Sequence, residues 1–154
     1  MRVKKICFVA SSGGHLEELY CLRELANTFH ACLITEESQF STATFGENVY
    51  FVPQINRKEK KFFVHFIKLF FEAGRILKIE KPDCIISTGA LMTVPICVLA
   101  KVKRKKIIYI ESFARVNHAS LTGRIMYHIA DLFLVQWPDM KKCFPKSEYF
   151  GGIF

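Results

Sequence analysis

Short, uniformly apolar segments alternate with longer amphipathic segments along this chain. The apolar segments predict six strands, at residues 3–10, 31–35, 49–52, 84–87, 106–110 and 132–135. Apolar residues spaced three and four positions apart predict helices at residues 15–28, 60–79, 91–102 and 120–129. Strands that are apolar on both faces and alternate with helices are typical of a parallel sheet covered on both sides. The pattern therefore predicts an α/β fold with a Rossmann-like, doubly wound parallel sheet.

The length of the chain favours one domain. Its 154 residues have room for one hydrophobic core, so we expect a single Rossmann-like domain over residues 1–154. In the first predicted helix, leucines at spacings of three form the side that is expected to face the sheet. Glu17, Glu18 and Glu24 are expected to point away from that side.

The charge of the chain narrows the kinds of partner. Lysine and arginine outnumber aspartate and glutamate, which gives a net charge of +8 at pH 7. This excess attracts an anionic partner, which could be a nucleic acid, a lipid surface or a phosphorylated ligand. The six cysteines form no C-x-x-C pair and the carboxylates form no D-x-D pattern, so we expect no metal and no cofactor. The short apolar run after the basic N-terminus does not resemble a signal peptide, which favours a reducing cytosol.

Three polar segments directly follow predicted strands, at residues 11–15, 87–89 and 111–117. In doubly wound sheets, ligands bind beyond the carboxyl ends of the strands. The predicted fold would bring these three segments together although they are far apart in the sequence. We therefore expect the functional site at this edge of the sheet.

The first of these segments is a glycine-rich turn before a helix. Gly13 and Gly14 allow the backbone to approach a ligand, and the following helix presents free N–H groups. With Ser11 and Ser12, the turn is a candidate site for a phosphate or diphosphate, although a tight turn with a serine N-cap is the other interpretation. The spacing matches neither a Walker loop nor a dinucleotide-binding motif. His15 could bind a phosphate or accept a proton from a substrate hydroxyl, or it could simply cap the helix.

The other two segments add candidate binding residues. Thr88 and Gly89 could line a cleft or form an ordinary strand-to-helix turn. The third segment concentrates polar groups after a buried strand, and its candidates are Glu111, Ser112, Arg115 and Asn117. Glu111 could bind a sugar hydroxyl or act as a base, and the guanidinium of Arg115 suits a phosphate. A salt bridge between the two that only holds the loop is the structural alternative.

The predicted helix at residues 60–79 has an apolar face wider than one side of a sheet can cover. Its basic and aromatic residues resemble an interfacial helix that inserts phenylalanines beneath anionic headgroups. The membrane-binding candidates are Lys60, Lys61, Phe62, Phe63, Phe66, Lys68, Phe70 and Phe71. Packing against a partner protein is the second interpretation, and nucleic-acid binding a distant third that leaves the phenylalanines unexplained.

The chain ends in an apolar tail that contains two glycines. Phe150, Ile153 and Phe154 lack a charged neighbour after Glu148 and are candidates for docking to a partner subunit. The tail could equally complete the sheet of its own chain.

Together these segments resemble the bacterial branch of the Alg-fourteen (Alg14) family of oligosaccharide-biosynthesis proteins. The resemblance covers nearly the whole chain and rests on residues 10–16, 83–95 and 109–116. It continues through residues 120–123, 130–131 and 136–138. Together these motifs are specific to the family, whereas the Gly-Gly-His piece alone is not.

The resemblance implies the amino-terminal, acceptor-binding half of a split glycosyltransferase of the two-domain B type (GT-B). A separate donor-binding subunit, similar to the Alg-thirteen family, would carry most of the UDP-sugar site. The acceptor would be a lipid-diphosphate-linked sugar, and bacterial relatives act in capsule or exopolysaccharide assembly. By comparison with the single-chain peptidoglycan enzyme that adds N-acetylglucosamine, the cleft residues map onto Gly13, Gly14 and His15, and the acidic residue onto Glu111.

One departure from the family concerns membrane attachment. Eukaryotic members carry an amino-terminal transmembrane helix, whereas this sequence starts directly at the first predicted strand. Peripheral attachment to the cytoplasmic face of the plasma membrane would then depend on residues 60–79. Two other functions remain open: a non-catalytic membrane adaptor with a vestigial cleft, and a free-standing nucleotide-binding domain in which Glu36 or Glu37 contacts a ribose.

Overall fold

The sheet has seven parallel strands. The computed structural model describes residues 4–37, 45–55, 59–60 and 62–154. Its strands are β1 (Lys5–Ala10), β2 (His30–Glu36), β3 (Asn48–Val52), β4 (Cys84–Gly89), β5 (Lys106–Ile110), β6 (Leu132–Val135) and β7 (Glu148–Tyr149). They are ordered β3-β2-β1-β4-β5-β6-β7 and every neighbouring pair is parallel. The order reverses direction at β1, which confirms the prediction of a doubly wound, Rossmann-like sheet.

Helices cover both faces of this sheet. They are α1 (Gly14–Tyr20), α2 (Arg23–Thr28), α3 (Phe62–Glu80), α4 (Thr93–Val102), α5 (Leu121–Met126) and a 3-10 helix (Pro138–Lys142). Alternate residues of the strands supply the two core layers: Cys7 and Val9 pack with α3, α4 and α5, whereas Phe8 and Ala10 pack with α1. Because β1, β2 and β4 are buried on both sides, their uniformly apolar sequences were a reliable signal.

The prediction of one continuous helix at residues 15–28 is wrong, because the structure has two short helices there. Cys21 and Leu22 donate backbone hydrogen bonds to residues three positions earlier, so the first helix ends after about two turns and α2 starts anew. The position of Glu18 also differs from the expectation. Its side chain is buried rather than solvent-exposed, while Leu25 on the predicted apolar side is exposed.

The C-terminal segment completes the sheet within the same chain. After the 3-10 helix, Glu148 and Tyr149 pair in parallel with Leu134 and Val135. The sequence pattern did not predict these elements because a two-residue strand is too short for any hydrophobic period. The tail was expected either to complete the sheet of its own chain or to dock to a partner. Up to Tyr149, it completes the sheet.

Helix α3 is anchored at its C-terminal end, whereas its N-terminal end has no residue before Leu69 that the described part of the structure buries. The carboxylate of Glu80 is buried and pairs with the Lys5 ammonium, the Tyr50 hydroxyl and the Asn48 amide. The hydrogen bond to Glu80 is the main cause that raises the pKa of Tyr50 to about 12. Lys5 opens β1, so these contacts hold the end of α3 level with the amino edge of the sheet.

The length of α3 exceeds that of the strands it packs on. Its 19 residues span about 28 Å at the rise of an α-helix, whereas a strand of six residues spans about 20 Å. Since the C-terminal end is level with the amino edge, the surplus extends beyond the carboxyl edge. In agreement with this, the first buried residue of the helix is Leu69.

Candidate functional site

The three polar segments meet at the carboxyl edge of the sheet. The backbone N–H of Ser11 donates to the carbonyl of Gly89 at 2.9 Å, and the Thr88 hydroxyl donates to the carbonyl of His15 at 2.6 Å. Gly89 has a φ of +110°, and a Cβ there would lie 3.1 Å from the His15 imidazole. Ser11, Thr88 and Gly89 therefore join the first two segments and position His15, rather than offering free groups to a ligand.

The glycine-rich turn is open to solvent. Gly13 has a φ of +80°, and its carbonyl accepts the N–H groups of Leu16 and Glu17 at the start of α1. A Cβ at either Gly13 or Gly14 would meet no atom within 4 Å. The predicted serine N-cap is absent from this turn, since the N-cap residue of α1 is Gly13. Space for a ligand therefore lies directly above the backbone of both glycines.

A cavity of about 490 Å³ lies beside this turn. Side chains from α1, β5, α5 and the loops after β4 and β5 line it: His15, Ala90, Tyr109, Ser112, Ala114, Arg115, Ser120, Leu121 and Thr122. Three of the predicted site residues, His15, Ser112 and Arg115, are among these. The structure thus brings together an imidazole, a guanidinium and hydroxyl groups around one space.

The imidazole of His15 has an unused polar atom. Within the described residues, its Nδ1 is buried and has no hydrogen-bond partner. A buried ring nitrogen without a partner is unfavourable unless a ligand or water binds it. His15 is nevertheless part of the cavity wall, and an imidazole is a group that can accept a proton.

Glu111 lies beneath the cavity and does not line it. Its side chain is only 1% exposed, and its carboxylate accepts hydrogen bonds from the Ser112 N–H at 3.1 Å and from the Ser120 hydroxyl at 2.9 and 3.1 Å. Burial raises the pKa of Glu111, and the hydrogen bonds from Ser120 and Ser112 oppose the rise. These contacts attach the loop after β5 to the start of α5.

The close packing of α5 on Glu111 depends on a glycine. A Cβ at Gly123 would lie 1.7 Å from Oε2 of Glu111, closer than any non-bonded contact. The Gly123 N–H instead donates to the Ser120 hydroxyl at 2.7 Å, which caps the helix. Glu111, Ser120 and Gly123 therefore form one structural unit under the cavity floor.

Glu18 is a site residue that the sequence interpretation missed. Its Oε1 accepts hydrogen bonds from the Ser112 hydroxyl at 2.8 Å and the Phe113 N–H at 3.1 Å. Its Oε2 accepts from the Gln136 amide at 3.0 Å, and the same amide donates to the Glu111 carbonyl at 3.0 Å. The sequence contained one signal for Glu18: it lies three positions after His15, and residues three positions apart share a face of a helix.

Glu36 holds the glycine-rich turn from the other side. It is buried and accepts hydrogen bonds from the backbone N–H groups of Ile55 and Ser12. Burial raises the pKa of Glu36, and these N–H groups and the His15 imidazole oppose the rise. A carboxylate engaged in this way is not presented to a ribose, which disfavours the nucleotide-binding role considered for Glu36.

Asn117 is separated from the other predicted binding residues. Its side chain is exposed and does not line the cavity, while its carbonyl accepts a contact from the Cys143 thiol at 3.7 Å. Its predicted role in acceptor binding stays a prediction.

The membrane-binding candidates lie on the N-terminal end of α3. Phe63 and Phe71 are each 76% exposed, and Ile67 lies between them on the same face. Phe62 stacks on Phe66, and Phe66 packs edge-on against Phe70. All three are partly exposed, and Lys60 and Lys68 are exposed. Lys61 is outside the described residues. In the part of the chain that the structure describes, no helix is both long and apolar enough to cross a membrane.

The docking candidates of the tail differ in exposure. Phe150 is 81% exposed and Phe154 is 68% exposed, although the ring of Phe154 packs edge-on against Phe113. Ile153 is partly buried, and its N–H donates to the Gln136 side chain at 3.0 Å. The tail therefore contacts the loop after β5 while presenting apolar surface to solvent.

The fold and its edge site define the class of the protein: a Rossmann-like α/β layer of the type found in GT-B glycosyltransferases. The match to the family described as "Oligosaccharide biosynthesis protein Alg14 like" extends over residues 6–153. The chain belongs to this Alg14-like family.

Named relatives support this membership. The mouse protein "UDP-N-acetylglucosamine transferase subunit ALG14" is 32% identical over 97% of this chain and 82% of its own length. The human protein of the same name is 30% identical over 96% of this chain and 82% of its own length. The fission yeast relative, Schizosaccharomyces pombe alg14, is 44% identical over 47% of this chain and 37% of its own length.

Solved structures of low sequence identity share the fold. MurG of Acinetobacter baumannii superimposes with a TM-score of 0.77 at 16% identity, and UDP-N-acetylglucosamine 2-epimerase of Rickettsia bellii with 0.76 at 12%. The MurG match covers 97% of this chain and 45% of MurG. The epimerase match covers 99% of this chain and 46% of the epimerase. This chain therefore corresponds to about half of each.

We predict that Gly123→Ala destabilises the protein by about 1–3 kcal/mol, because the added methyl group collides with the Glu111 carboxylate. Alanine is the better helix former, so helix propensity alone predicts the opposite sign. The matched control is Gly74→Ala in α3, where the new Cβ would lie at an ordinary 3.9 Å from Leu99 and is expected to stabilise by up to about 1 kcal/mol. Urea denaturation measures both, and equal stabilities for the two variants would contradict the packing described.

Proposed function

We propose that this chain is a membrane-associated subunit of a two-component, UDP-sugar-dependent glycosyltransferase. It binds a lipid-diphosphate-linked sugar acceptor and recruits a donor-binding subunit, in lipid-linked oligosaccharide or surface polysaccharide assembly. Membership in the Alg14-like family supports this role, since the named mammalian relatives are UDP-N-acetylglucosamine transferase subunits. The observation that carries the proposal is the cavity that joins His15 and Arg115 beside the open Gly13-Gly14 turn.

The cavity suits an acceptor that carries a diphosphate. Backbone N–H groups at the start of α1 and the guanidinium of Arg115 offer hydrogen bonds and positive charge to phosphate oxygens. The Ser120 hydroxyl already donates to Glu111, so the proposal assigns the hydroxyl of Thr122, which lines the same space, to hydrogen bonding with a sugar. A diphosphate at the turn would place the attached sugar in the cavity next to His15.

His15 is the group that we assign to proton transfer. An acceptor hydroxyl becomes a stronger nucleophile when its proton moves to a base as it attacks the anomeric carbon of the donor. His15 lines the cavity and its Nδ1 has no hydrogen-bond partner among the described residues, whereas the Glu111 carboxylate is already bonded to Ser112 and Ser120. Glu111 acts in this proposal by holding the loop after β5, and its predicted role as the base is disfavoured.

A second subunit completes the enzyme in this proposal. The chain corresponds to 45% of the MurG chain, and in this proposal another polypeptide supplies the counterpart of the rest. The UDP-sugar would bind mainly to that polypeptide, which we expect to resemble the Alg-thirteen family. The exposed phenylalanines of the tail, Phe150 and Phe154, are the proposed docking residues.

Helix α3 is the proposed membrane contact. Its phenylalanine-rich N-terminal end projects beyond the carboxyl edge, which is also the edge with the cavity. Insertion of this end into the lipid interface would hold the cavity close to the headgroups, where the diphosphate of a lipid-linked acceptor lies. Lys60 and Lys68 add attraction to anionic lipids.

The second candidate function is a non-catalytic adaptor that anchors the donor-binding subunit to the membrane. The exposed surfaces of α3 and the tail are compatible with it. The two functions differ in whether the cavity residues are needed for turnover.

We predict that His15→Ala lowers the kcat of the reconstituted complex by about 10²–10⁴-fold, the usual contribution of a general base. The Thr88 hydroxyl bonds to the main-chain carbonyl of residue 15, so the turn is expected to keep its shape. His118→Ala is the matched control, because His118 is exposed near the same edge and outside the cavity lining, and its kcat should be unchanged. Initial rates of sugar transfer test this, and a kcat within about twofold of the wild type for His15→Ala would favour the adaptor.

We predict that replacing Phe63 and Phe71 by serine lowers binding to vesicles with anionic lipids by at least about tenfold, because each phenylalanine loses about 1.5–3 kcal/mol of transfer free energy when fully inserted. Val102→Ser is the control, since Val102 is 75% exposed at the amino edge of the sheet. Vesicle co-sedimentation measures the binding. Undiminished binding of the double variant would assign α3 to a protein partner instead.

A further inference from the structure

A chain of hydrogen bonds joins the C-terminal tail to the loop that lines the cavity. The Ile153 N–H donates to Oε1 of Gln136 at 3.0 Å, and Nε2 of Gln136 donates to Oε2 of Glu18 at 3.0 Å. Oε1 of Glu18 then accepts the Ser112 hydroxyl at 2.8 Å. Two side chains, Gln136 and Glu18, thus connect the last residues of the protein to Ser112 in the cavity wall.

An aromatic contact runs beside this chain of hydrogen bonds. The ring of Phe113 packs between Trp137 at 4.9 Å and Phe154 at 5.2 Å, measured between ring centroids. The Trp137 indole N–H donates to the Phe113 carbonyl at 2.7 Å, and the Phe113 N–H donates to Glu18. A Cβ at Gly152 would lie 3.2 Å from the Phe113 ring, so the tail packs closely on it.

The burial of this network makes it stiff. Glu18 and Gln136 are each only 4% exposed, and every oxygen of the two side chains accepts a hydrogen bond. A shift of the tail or of the loop would leave a buried polar group without a partner, which is costly in free energy. The positions of tail and loop are therefore expected to depend on each other.

We infer that Glu18 and Gln136 are positioning residues that couple the tail at residues 152–154 to the cavity loop at residues 112–115. The inference rests on the proposed function, in which the cavity binds the acceptor and the tail docks the second subunit. Docking at the tail then favours the loop arrangement that binds the acceptor, and by thermodynamic reciprocity the acceptor strengthens docking. Neither Glu18 nor Gln136 touches the reacting atoms in this scheme.

Amide hydrogen exchange of the full chain tests the coupling from both ends. Glu18→Gln places an amide donor against the Gln136 amide, and we expect at least threefold faster exchange at the Ile153 N–H, which does not contact residue 18. Phe154→Ala removes an exposed ring and leaves the core intact, and we expect at least threefold faster exchange at the Phe113 N–H. Trp137 is the single tryptophan, so its emission reports the same rearrangement.

A control variant separates coupling from a general loss of packing. Glu17→Gln changes an exposed glutamate on the same helix and should leave exchange at both N–H groups unchanged. Exchange at Ile153 within twofold of the wild type in Glu18→Gln would overturn the inference.

Kinetics of the complex connect the coupling to the proposed reaction. With the second subunit and a short-chain prenyl diphosphate sugar as acceptor probe, Glu18→Gln is expected to raise the acceptor KM at least fivefold and to change kcat less than twofold. A large fall in kcat with an unchanged KM would assign Glu18 to the chemical step and contradict a positioning role. Wild-type complex without transferase activity would refute the proposed function, whereas the exchange experiments would still decide whether tail and loop are coupled.

Discussion

Three buried carboxylates hold the carboxyl edge of this protein together. Glu18, Glu36 and Glu111 each lie under a loop and accept hydrogen bonds from its backbone N–H groups. A buried carboxylate is costly unless hydrogen bonds replace its water, and here the loops supply them. Because these hydrogen bonds restrict each loop, they shape the cavity walls, and the position of His15 depends on this framework.

The framework explains why the fold could be predicted better than the site. Uniformly apolar strands have a local signature, which is strongest in the buried β1, β2 and β4, and β1 to β6 were predicted within a few residues of their observed ends. The convergence of three segments at one edge followed from the topology alone. The bonds of Glu18 to Ser112 and Gln136 join residues 94 and 118 positions apart, and no periodicity of the sequence encodes such pairs.

The differences from prediction have two physical origins. An uninterrupted helix at residues 15–28 placed Glu18 on the solvent side, but α1 ends at Tyr20 and its Glu18 is buried and bonded to the loop after β5. Glu111 follows β5 as expected, and Gly123 allows α5 to close over its carboxylate. The first contact joins residues far apart in the sequence, and the second depends on a missing side chain.

In the proposed division of labour, the cavity binds the acceptor, α3 contacts the membrane and the tail docks a second subunit. The most direct test of it is transfer of labelled N-acetylglucosamine from its UDP-linked donor to a lipid-diphosphate-linked sugar, measured with each purified subunit alone and with the mixture. The account predicts labelled product only when this chain and the donor-binding subunit are both present. Product formed at the full rate by the donor-binding subunit alone would contradict it.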